Sequence, residues 1–112
     1  MTLFEKIAAR EIPADIVYES ETLLAFRDIN PQAPVHVLVV PRRPLSRIDE
    51  AGEEHAELLG SLLLAAARIA RELGVDESGY RLVVNNGSAA GESVPHLHVH
   101  LLGGRPLEWP PG

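Results

Sequence analysis

Three histidines at alternate positions are the feature of this sequence best suited to chemistry. Residues 96–101 read His-Leu-His-Val-His-Leu, and they hold three of the five histidines in the 112-residue chain. Side chains alternate between the two faces of a β-strand, so a strand here would place the imidazoles together on one face. The aliphatic residues between them would face the opposite way and enter a core.

Such a strand admits three interpretations. The first is an ordinary half-buried strand whose polar positions happen to be histidines. The second is a zinc site, because two imidazoles at this spacing can bind one ion. However, His96 and His100 would lie about 13 Å apart at their Cα atoms along a strand. A two-histidine site would therefore need another ligand, such as Asp28 or His36.

The third interpretation makes His98 a nucleophile toward phosphorus. A histidine nucleophile presents a neutral Nε2 to the electrophile, while its Nδ1–H donates to an acceptor such as a backbone carbonyl. Partial burial and a neighbouring imidazolium would both lower the pKa of His98 and keep the ring neutral at physiological pH. The flanking histidines could donate to phosphoryl oxygens or carry protons to a leaving group. The spacing favours this interpretation over chelation.

The loop before the histidines has the composition of a phosphate-binding turn. Residues 86–93 read Asn-Gly-Ser-Ala-Ala-Gly-Glu-Ser. Glycines permit turns whose backbone N–H groups converge on an anion, and Ser93 adds a hydroxyl donor. Loops of this composition are often simple connections, but the position just before His96 favours a phosphate cradle. Glu92 has the wrong charge for that role, so we expect its side chain to point to solvent.

Several further residues have both a structural and a functional explanation. His36 interrupts an apolar run, where a histidine is usually a hydrogen-bonded core residue. Asp28 precedes Asn30-Pro31 and suits a turn, although a carboxylate at the end of a strand can also accept hydrogen bonds from a diol. Asn85 suits a turn beside Asn86-Gly87. Ordinary core positions also explain the apolar candidates Phe4, Phe26 and Ile29.

Periodicity along the chain predicts the elements that must position these residues. Apolar residues at three- and four-residue intervals predict two helices: Thr2–Arg10, with Thr2 as N-cap, and Glu53–Leu73, with Gly74 as C-terminal cap. β-prone runs predict five strands: Ile16–Glu19, Leu23–Ile29, Val35–Val40, Tyr80–Asn85 and Val94–Leu102. Consecutive strands with few helices indicate an α+β fold with an antiparallel sheet.

Composition excludes several classes of protein. The chain contains no cysteine, which rules out disulfides, thiolate catalysis and cysteine-based zinc sites. Its formal net charge of −6 disfavours general binding to nucleic acid or to anionic membranes, so any phosphate site must be locally positive. The longest apolar run, Leu62–Ala67, is far too short to span a bilayer, and the N-terminus lacks a signal-peptide pattern. We therefore expect one domain over residues 1–112, soluble and cytoplasmic.

The histidine stretch also resembles a known family. Residues 96–102 match the His-φ-His-φ-His-φ-φ signature of the histidine triad (HIT) superfamily. Segments 25–36, 39–41 and 80–85 resemble its Hint branch, as do Leu-Gly-Gly-Arg at 102–105 and Trp-Pro-Pro-Gly at 109–112. The resemblance covers nearly the whole chain. It implies a HIT-like fold, with one short and one long helix on a five-stranded antiparallel sheet that pairs into a ten-stranded sheet in a homodimer.

This resemblance implies a hydrolase of purine nucleoside phosphoramidates, which would convert adenosine 5′-phosphoramidate to AMP and an amine. The reaction would pass through a covalent nucleotidyl-histidine intermediate and require neither a cofactor nor a metal. Two alternatives stay open. Another enzyme of the superfamily would cleave dinucleoside polyphosphates or transfer nucleotides, and a non-catalytic protein would bind nucleotides or act as a scaffold.

The resemblance also implies a role for each matching residue. His98 would be the nucleophile, His36 would support it in a proton relay, and His96 would complete the triad. The phosphate site would comprise His100, Ser93, Asn85 and Gly91. Asp28 would bind the ribose hydroxyls, and Trp109 would contact the leaving group across the dimer. The base pocket would be lined by Phe4, Ile7, Phe26 and Ile29.

Overall fold

A computed structural model describes all 112 residues and contains a five-stranded antiparallel sheet. The strands are β1 (Ile16–Glu19), β2 (Leu23–Arg27), β3 (Val35–Pro41), β4 (Tyr80–Val83) and β5 (Val99–Gly103). Their order across the sheet is β1-β2-β3-β5-β4, and every neighbouring pair is antiparallel. The helices are α1 (Leu3–Ala8) and α2 (Ala56–Glu72). The predicted α+β class with one short and one long helix is confirmed.

The two helices cover opposite faces of the sheet. Val37 and Val39 of β3 belong to the larger core cluster, which includes Ile69 of α2. Leu38 and Val40 belong to a second cluster with Phe4 of α1. Because successive side chains of β3 point to opposite faces, both faces of this central strand are buried, as its continuous apolar sequence predicts. The face toward α1 carries the polar residues of interest.

Both helices have the caps that the sequence predicts. The side chain of Thr2 accepts a hydrogen bond from the Glu5 backbone N–H, and the Glu5 side chain bonds back to the Thr2 N–H. This capping box satisfies two of the donors that a helix start leaves unpaired. Gly74 follows α2 with a φ of +74°, a left-handed conformation that glycine adopts without steric cost. Neither helix has the length and apolarity needed to cross a membrane.

Several element boundaries differ from the prediction. The expected strand Val94–Leu102 begins only at Val99, because the chain before it bonds elsewhere: the Leu97 N–H donates to the Leu45 carbonyl, and Pro95 has no N–H to donate. The pattern of alternating faces nevertheless continues through this segment, since Leu97 lies in the core beneath α2 with Val99. His96 and His98 therefore precede the strand rather than lie in it.

The other differences are at strand and helix ends. The short helix spans Leu3–Ala8 rather than Thr2–Arg10, because Thr2 is its N-cap and Arg10 has a left-handed φ of +61°. β2 ends at Arg27 rather than Ile29, because Asp28 turns the chain by accepting the Asn30 N–H on its own side chain. β4 ends at Val83 rather than Asn85. The long helix begins at Ala56 after a single 3-10 turn over Glu53–His55, so its predicted start was one turn too early.

Candidate active site

A cavity of about 230 Å³ lies between α1 and the sheet. Its wall contains both apolar and polar residues. The apolar lining comprises Leu3, Phe4, Ile7, Ile12, Pro13, Ala14, Phe26, Ile29, Leu38 and Val94. The polar lining comprises Arg27, Asp28, Ser93, His98 and His100. A mostly apolar pocket with a few converging polar groups is the usual form of a small-molecule site.

His98 presents one ring nitrogen to this cavity. Its Nδ1 lies 2.7 Å from the backbone carbonyl oxygen of His96. A carbonyl can only accept, so the neutral ring carries its hydrogen on Nδ1 and has a lone pair on Nε2. No protein group bonds that Nε2, and no buried side-chain nitrogen or oxygen lacks a partner. The Nε2 of this otherwise buried ring is therefore accessible from the cavity.

The surroundings of His98 keep it neutral. Burial lowers the pKa of His98 from its ordinary value, and this effect exceeds the opposing effect of the hydrogen bond to the His96 carbonyl. Phe4 packs edge-on against the ring, with centroids 5.0 Å apart. A neutral imidazole with a free Nε2 is the form in which histidine acts as a nucleophile.

His36 and His100 form a hydrogen-bonded pair beside His98. His36 Nδ1 accepts from the Gln32 backbone N–H at 3.0 Å, so the ring hydrogen of neutral His36 is on Nε2. That Nε2 lies 3.0 Å from His100 Nδ1, which must accept. The hydrogen of neutral His100 is consequently on its Nε2. Because His100 lines the cavity and no protein group bonds this Nε2, it is a donor available to a bound anion.

Burial and mutual proximity disfavour protonation of this pair. Burial lowers the pKa of His36, and the Asp28 carboxylate partly offsets the effect. Burial, together with the neighbouring His98 and His36, lowers the pKa of His100 to about 4. An anion bound beside these rings would favour their charged form and raise both pKa values.

His96 lies behind the cavity rather than in its wall. Its Nε2 is 2.7 Å from the Pro41 carbonyl oxygen, so Nε2 carries the hydrogen, and Nδ1 accepts from the Thr2 hydroxyl at 3.1 Å. Both nitrogens of this ring, which is 1% exposed, are thus occupied. The contribution of His96 to the site in this geometry is its backbone carbonyl, which orients His98.

The loop before the histidines is closed around Glu92. Gly87 and Gly91 have φ values of +89° and +86°, which are the turns that the glycine pattern predicts. Ser93 lines the cavity, but the prediction that Glu92 points to solvent was wrong. Its side chain is 10% exposed and bonds Arg47 at 3.0 and 2.7 Å and the Gly87 N–H at 3.1 Å. Arg47 lies 45 residues earlier, so nothing local in the sequence signals this partner.

The predicted nucleoside-binding residues line the same cavity. Phe4, Ile7 and Phe26 are buried in its wall, whereas Ile29 is 94% exposed at its rim. Asp28 is half-buried in the polar wall, and its Oδ2 lies 3.6 Å from His36 Nε2. A carboxylate in this position can accept hydrogen bonds from hydroxyl groups of a ligand.

The structure does not bring every predicted site residue to the cavity. Asn85 and Gly91 lie in the connection after β4, outside the cavity wall, and Trp109 is 82% exposed near the C-terminus. Sequence reasoning missed Thr2 as the partner of His96, because the two residues are 94 positions apart.

One set of side chains has donors suited to a metal ion. Ligand atoms of Asp28, His36 and His100 all lie within 4.8 Å of one another. Two imidazoles and a carboxylate are donors that zinc accepts. Only one member of this set, His100, comes from the alternating histidines. The geometry therefore does not place all three alternating histidines around one ion.

Comparison with known proteins agrees with this architecture. A HIT-like protein from Synechococcus elongatus is 60% identical over 111 residues, which cover 99% of this chain and 96% of that protein. The 14 kDa zinc-binding protein of Zea mays is 52% identical over 113 residues, covering 99% and 88%.

Solved structures show the same fold. A HIT family hydrolase from Legionella pneumophila superimposes with a TM-score of 0.98 at 48% identity, and the match covers 100% of both chains. A histidine triad nucleotide-binding protein from Candida albicans gives a TM-score of 0.83 at 29% identity, covering 98% of this chain and 83% of that one. The model of the HIT domain matches residues 9–107. The chain therefore belongs to the HIT domain family.

Proposed function

We propose that this chain hydrolyses the P–N bond of purine nucleoside phosphoramidates through a nucleotidyl intermediate on His98. The observation that carries the proposal is the neutral His98 ring, whose only free nitrogen opens into a cavity lined by both apolar and polar residues. Membership of the HIT family supports a nucleotide substrate, since a similar solved structure is a histidine triad nucleotide-binding protein. The similar Legionella pneumophila structure, a HIT family hydrolase, supports hydrolysis.

In the first step, the lone pair of His98 Nε2 attacks phosphorus and forms an N–P bond as the bond to the amine breaks. The amine nitrogen keeps that bonding pair and must gain a proton to leave. Binding of the anionic phosphoryl group raises the pKa values of the hydrogen-bonded His36 and His100 rings. His36 Nδ1 takes a proton from solvent in place of its bond from the Gln32 N–H, and the shared proton moves from His36 Nε2 to His100 Nδ1, so that His100 carries a hydrogen on both ring nitrogens. The Nε2–H of His100 then passes to the amine. Until that transfer, His36, which contacts His100, and Asp28, which lies beside His36, stabilise the positive charge of the His100 ring.

In the second step, water attacks the phosphorus of the intermediate. Its oxygen forms the new P–O bond, the P–Nε2 bond breaks, and His98 recovers its lone pair. The proton lost by the water passes to His100 Nε2 and from there to solvent. The Ser93 hydroxyl donates to a non-bridging oxygen, which stabilises the negative charge of both transition states.

The proposed roles divide the cavity between the parts of a nucleotide. Phe4, Ile7 and Phe26 contact the base, with Ile29 closing over it at the rim. Asp28 accepts from the ribose hydroxyls. The phosphoryl group lies against Ser93, His98 and His100, and Gly91 and Asn85 support the loop around it.

We also propose that the reaction requires no metal, because imidazole N–H groups supply the charge stabilisation. Zinc is the competing interpretation. Asp28, His36 and His100 form a suitable donor set, and the similar Zea mays protein is named as zinc-binding. An ion held there would occupy nitrogens that the proposed relay uses, so a chelator distinguishes the two interpretations.

A homodimer completes the proposal. β4 is an edge strand, and beside it a small apolar groove includes Ile48, Leu63 and Val84, all of which are partly exposed. An unpaired edge and an apolar surface are both stabilised by pairing with a second copy. Pairing of two β4 edges would produce a ten-stranded sheet and bring Trp109 toward the partner's leaving-group site.

The test is release of AMP from adenosine 5′-phosphoramidate by the native protein, by His98→Ala and by His55→Ala, each with and without EDTA. His55 is the one histidine outside the site and serves as the matched control. We expect chelator-resistant release by the native and His55→Ala proteins and none by His98→Ala. If EDTA abolishes release, the metal-free mechanism is wrong. If a folded, AMP-binding native protein releases nothing, a dinucleoside polyphosphate substrate, nucleotide transfer or a binding role replaces the proposal.

A further inference from the structure

Glu92 is an unusual residue to find beside a site for a phosphoryl group, since its charge has the same sign as the ligand's. It nevertheless lies directly before Ser93 in the cavity wall. Its Oε2 accepts from Arg47 Nη2 at 2.7 Å, and its Oε1 accepts from Arg47 Nε at 3.0 Å. This two-pronged geometry is the strong form of a guanidinium–carboxylate pair.

The carboxylate also closes the loop on itself. Glu92 Oε1 accepts from the Gly87 N–H at 3.1 Å, and the Glu92 backbone N–H donates to the Gly87 carbonyl at 3.2 Å. Residues 87–92 thus form a ring joined by a side-chain and a main-chain bond. A second tether runs from the segment that carries Arg47, where the Asp49 N–H donates to the Asn86 side chain at 2.9 Å. The position of Ser93 follows from this ring.

Arg47 also cancels the charge of Glu92. The guanidinium, followed by the Gly87 N–H, holds the pKa of Glu92 at about 2, so the carboxylate is ionised throughout the working range of pH. Without Arg47, a full negative charge would lie next to the incoming phosphoryl group, where like charges repel. With Arg47, the pair is electrically neutral and the repulsion is small.

We propose that Arg47 and Glu92 are positioning residues of the phosphate site: their ion pair holds loop 87–92 closed and removes a charge that would repel the substrate. This inference rests on the proposed function, because it takes the polar lining of the cavity as the phosphoryl site. It assigns the pair no part in bond making or breaking.

The test compares the affinities of AMP and adenosine, which differ only in the phosphoryl group, by calorimetric titration. The variants are Arg47→Gln, Arg47→Lys, Glu92→Gln and the double variant Arg47→Gln/Glu92→Gln. The control is Arg68→Gln, which breaks an exposed, single-contact ion pair with Glu72 at 3.0 Å on the surface of α2. Circular dichroism tests whether each variant is folded.

We expect Arg47→Gln to weaken AMP binding roughly tenfold or more, the usual effect of leaving a charged partner unpaired, with adenosine affinity unchanged. Arg47→Lys keeps the charge and should retain most of the AMP affinity. The double variant leaves no charge at position 92, and of the Arg47 partners only the exposed Glu50 keeps an unpaired carboxylate. It should therefore bind AMP better than Arg47→Gln, a non-additivity expected of residues in contact. Arg68→Gln should change neither affinity.

Two results would overturn the inference: AMP affinity of folded Arg47→Gln within about twofold of the native value, or equal weakening of AMP and adenosine, which marks general damage. If Arg47→Gln does not fold, the affinities of Arg47→Lys and of the double variant for AMP and adenosine test the inference instead. These titrations need no turnover. If the native protein binds AMP but does not cleave phosphoramidates, the proposed reaction is wrong. The role of the ion pair would still be tested by comparing the affinities of the variants for AMP and for adenosine. A native protein that binds no AMP overturns both.

Discussion

Replacing Thr2 by valine removes a hydroxyl that serves both α1 and the histidine site. Thr2 Oγ1 accepts from the Glu5 N–H at 3.1 Å and donates to His96 Nδ1, also at 3.1 Å. Valine has nearly the same shape, so packing is preserved while both hydrogen bonds are lost. Loss of an N-cap costs about 1 kcal/mol, and an unsatisfied buried acceptor on His96 costs about 1–3 kcal/mol more.

The expected destabilisation of Thr2→Val is therefore about 2–4 kcal/mol, or a fall in Tm of roughly 8–16 °C for a chain of this size. Urea unfolding followed by circular dichroism measures it, with the protein concentration held constant because association would contribute to stability. Thr2→Ser keeps the hydroxyl and should remain within about 1 kcal/mol of the native protein. A loss below about 1 kcal/mol for Thr2→Val would refute the buried Thr2–His96 bond.

Three further predictions concern the nucleophile, the ribose site and the core. Because burial lowers the pKa of His98 and its neutral form attacks, kcat/KM should hold as pH falls through 6.5 and decline only below it; a decline centred above 6.5 would contradict this. Asp28→Asn should lose roughly tenfold or more in kcat/KM on a ribonucleoside phosphoramidate beyond its loss on the 2′,3′-dideoxy analogue, which reports only the effect of Asp28 on the histidine pair; equal losses would exclude ribose contact. Ile69→Ala, on the other face of the sheet, should cost about 2–5 kcal/mol in urea unfolding with unchanged activity per folded molecule; reduced specific activity would show coupling through the sheet.

The elements of this fold could be predicted from the sequence because their signals are local. The spacing of apolar residues indicates both helices. The alternation of apolar residues and histidines predicts that Leu97 and Val99 face the core, which is correct even though strand β5 begins only at Val99. Element ends were less predictable, because a side chain can compete with the backbone for hydrogen bonds. Asp28 does so by accepting the Asn30 N–H and ending β2 early.

The candidate site was predictable in residue types but not in partners. His98 and Ser93 line the cavity as expected. However, the Pro41 carbonyl that holds His96 lies 55 residues away, and Arg47 lies 45 residues from Glu92. A charged side chain beside a glycine-rich loop is expected to be exposed to solvent unless its ion-pair partner is known. The predicted orientation of Glu92 is wrong because its partner, Arg47, is distant in the sequence. Sequence spacing also could not show that Asp28, His36 and His100 converge.

The proposed reaction requires a covalent bond between His98 and phosphorus, which intact-mass spectrometry after rapid acid-free quenching can detect. The native protein mixed with adenosine 5′-phosphoramidate should gain the mass of one adenylyl group per chain during turnover, and fragmentation should place it on His98. The same experiment with His98→Ala should show no added mass. An adenylyl group on another residue, or sustained AMP release by His98→Ala, would show that His98 is not the nucleophile.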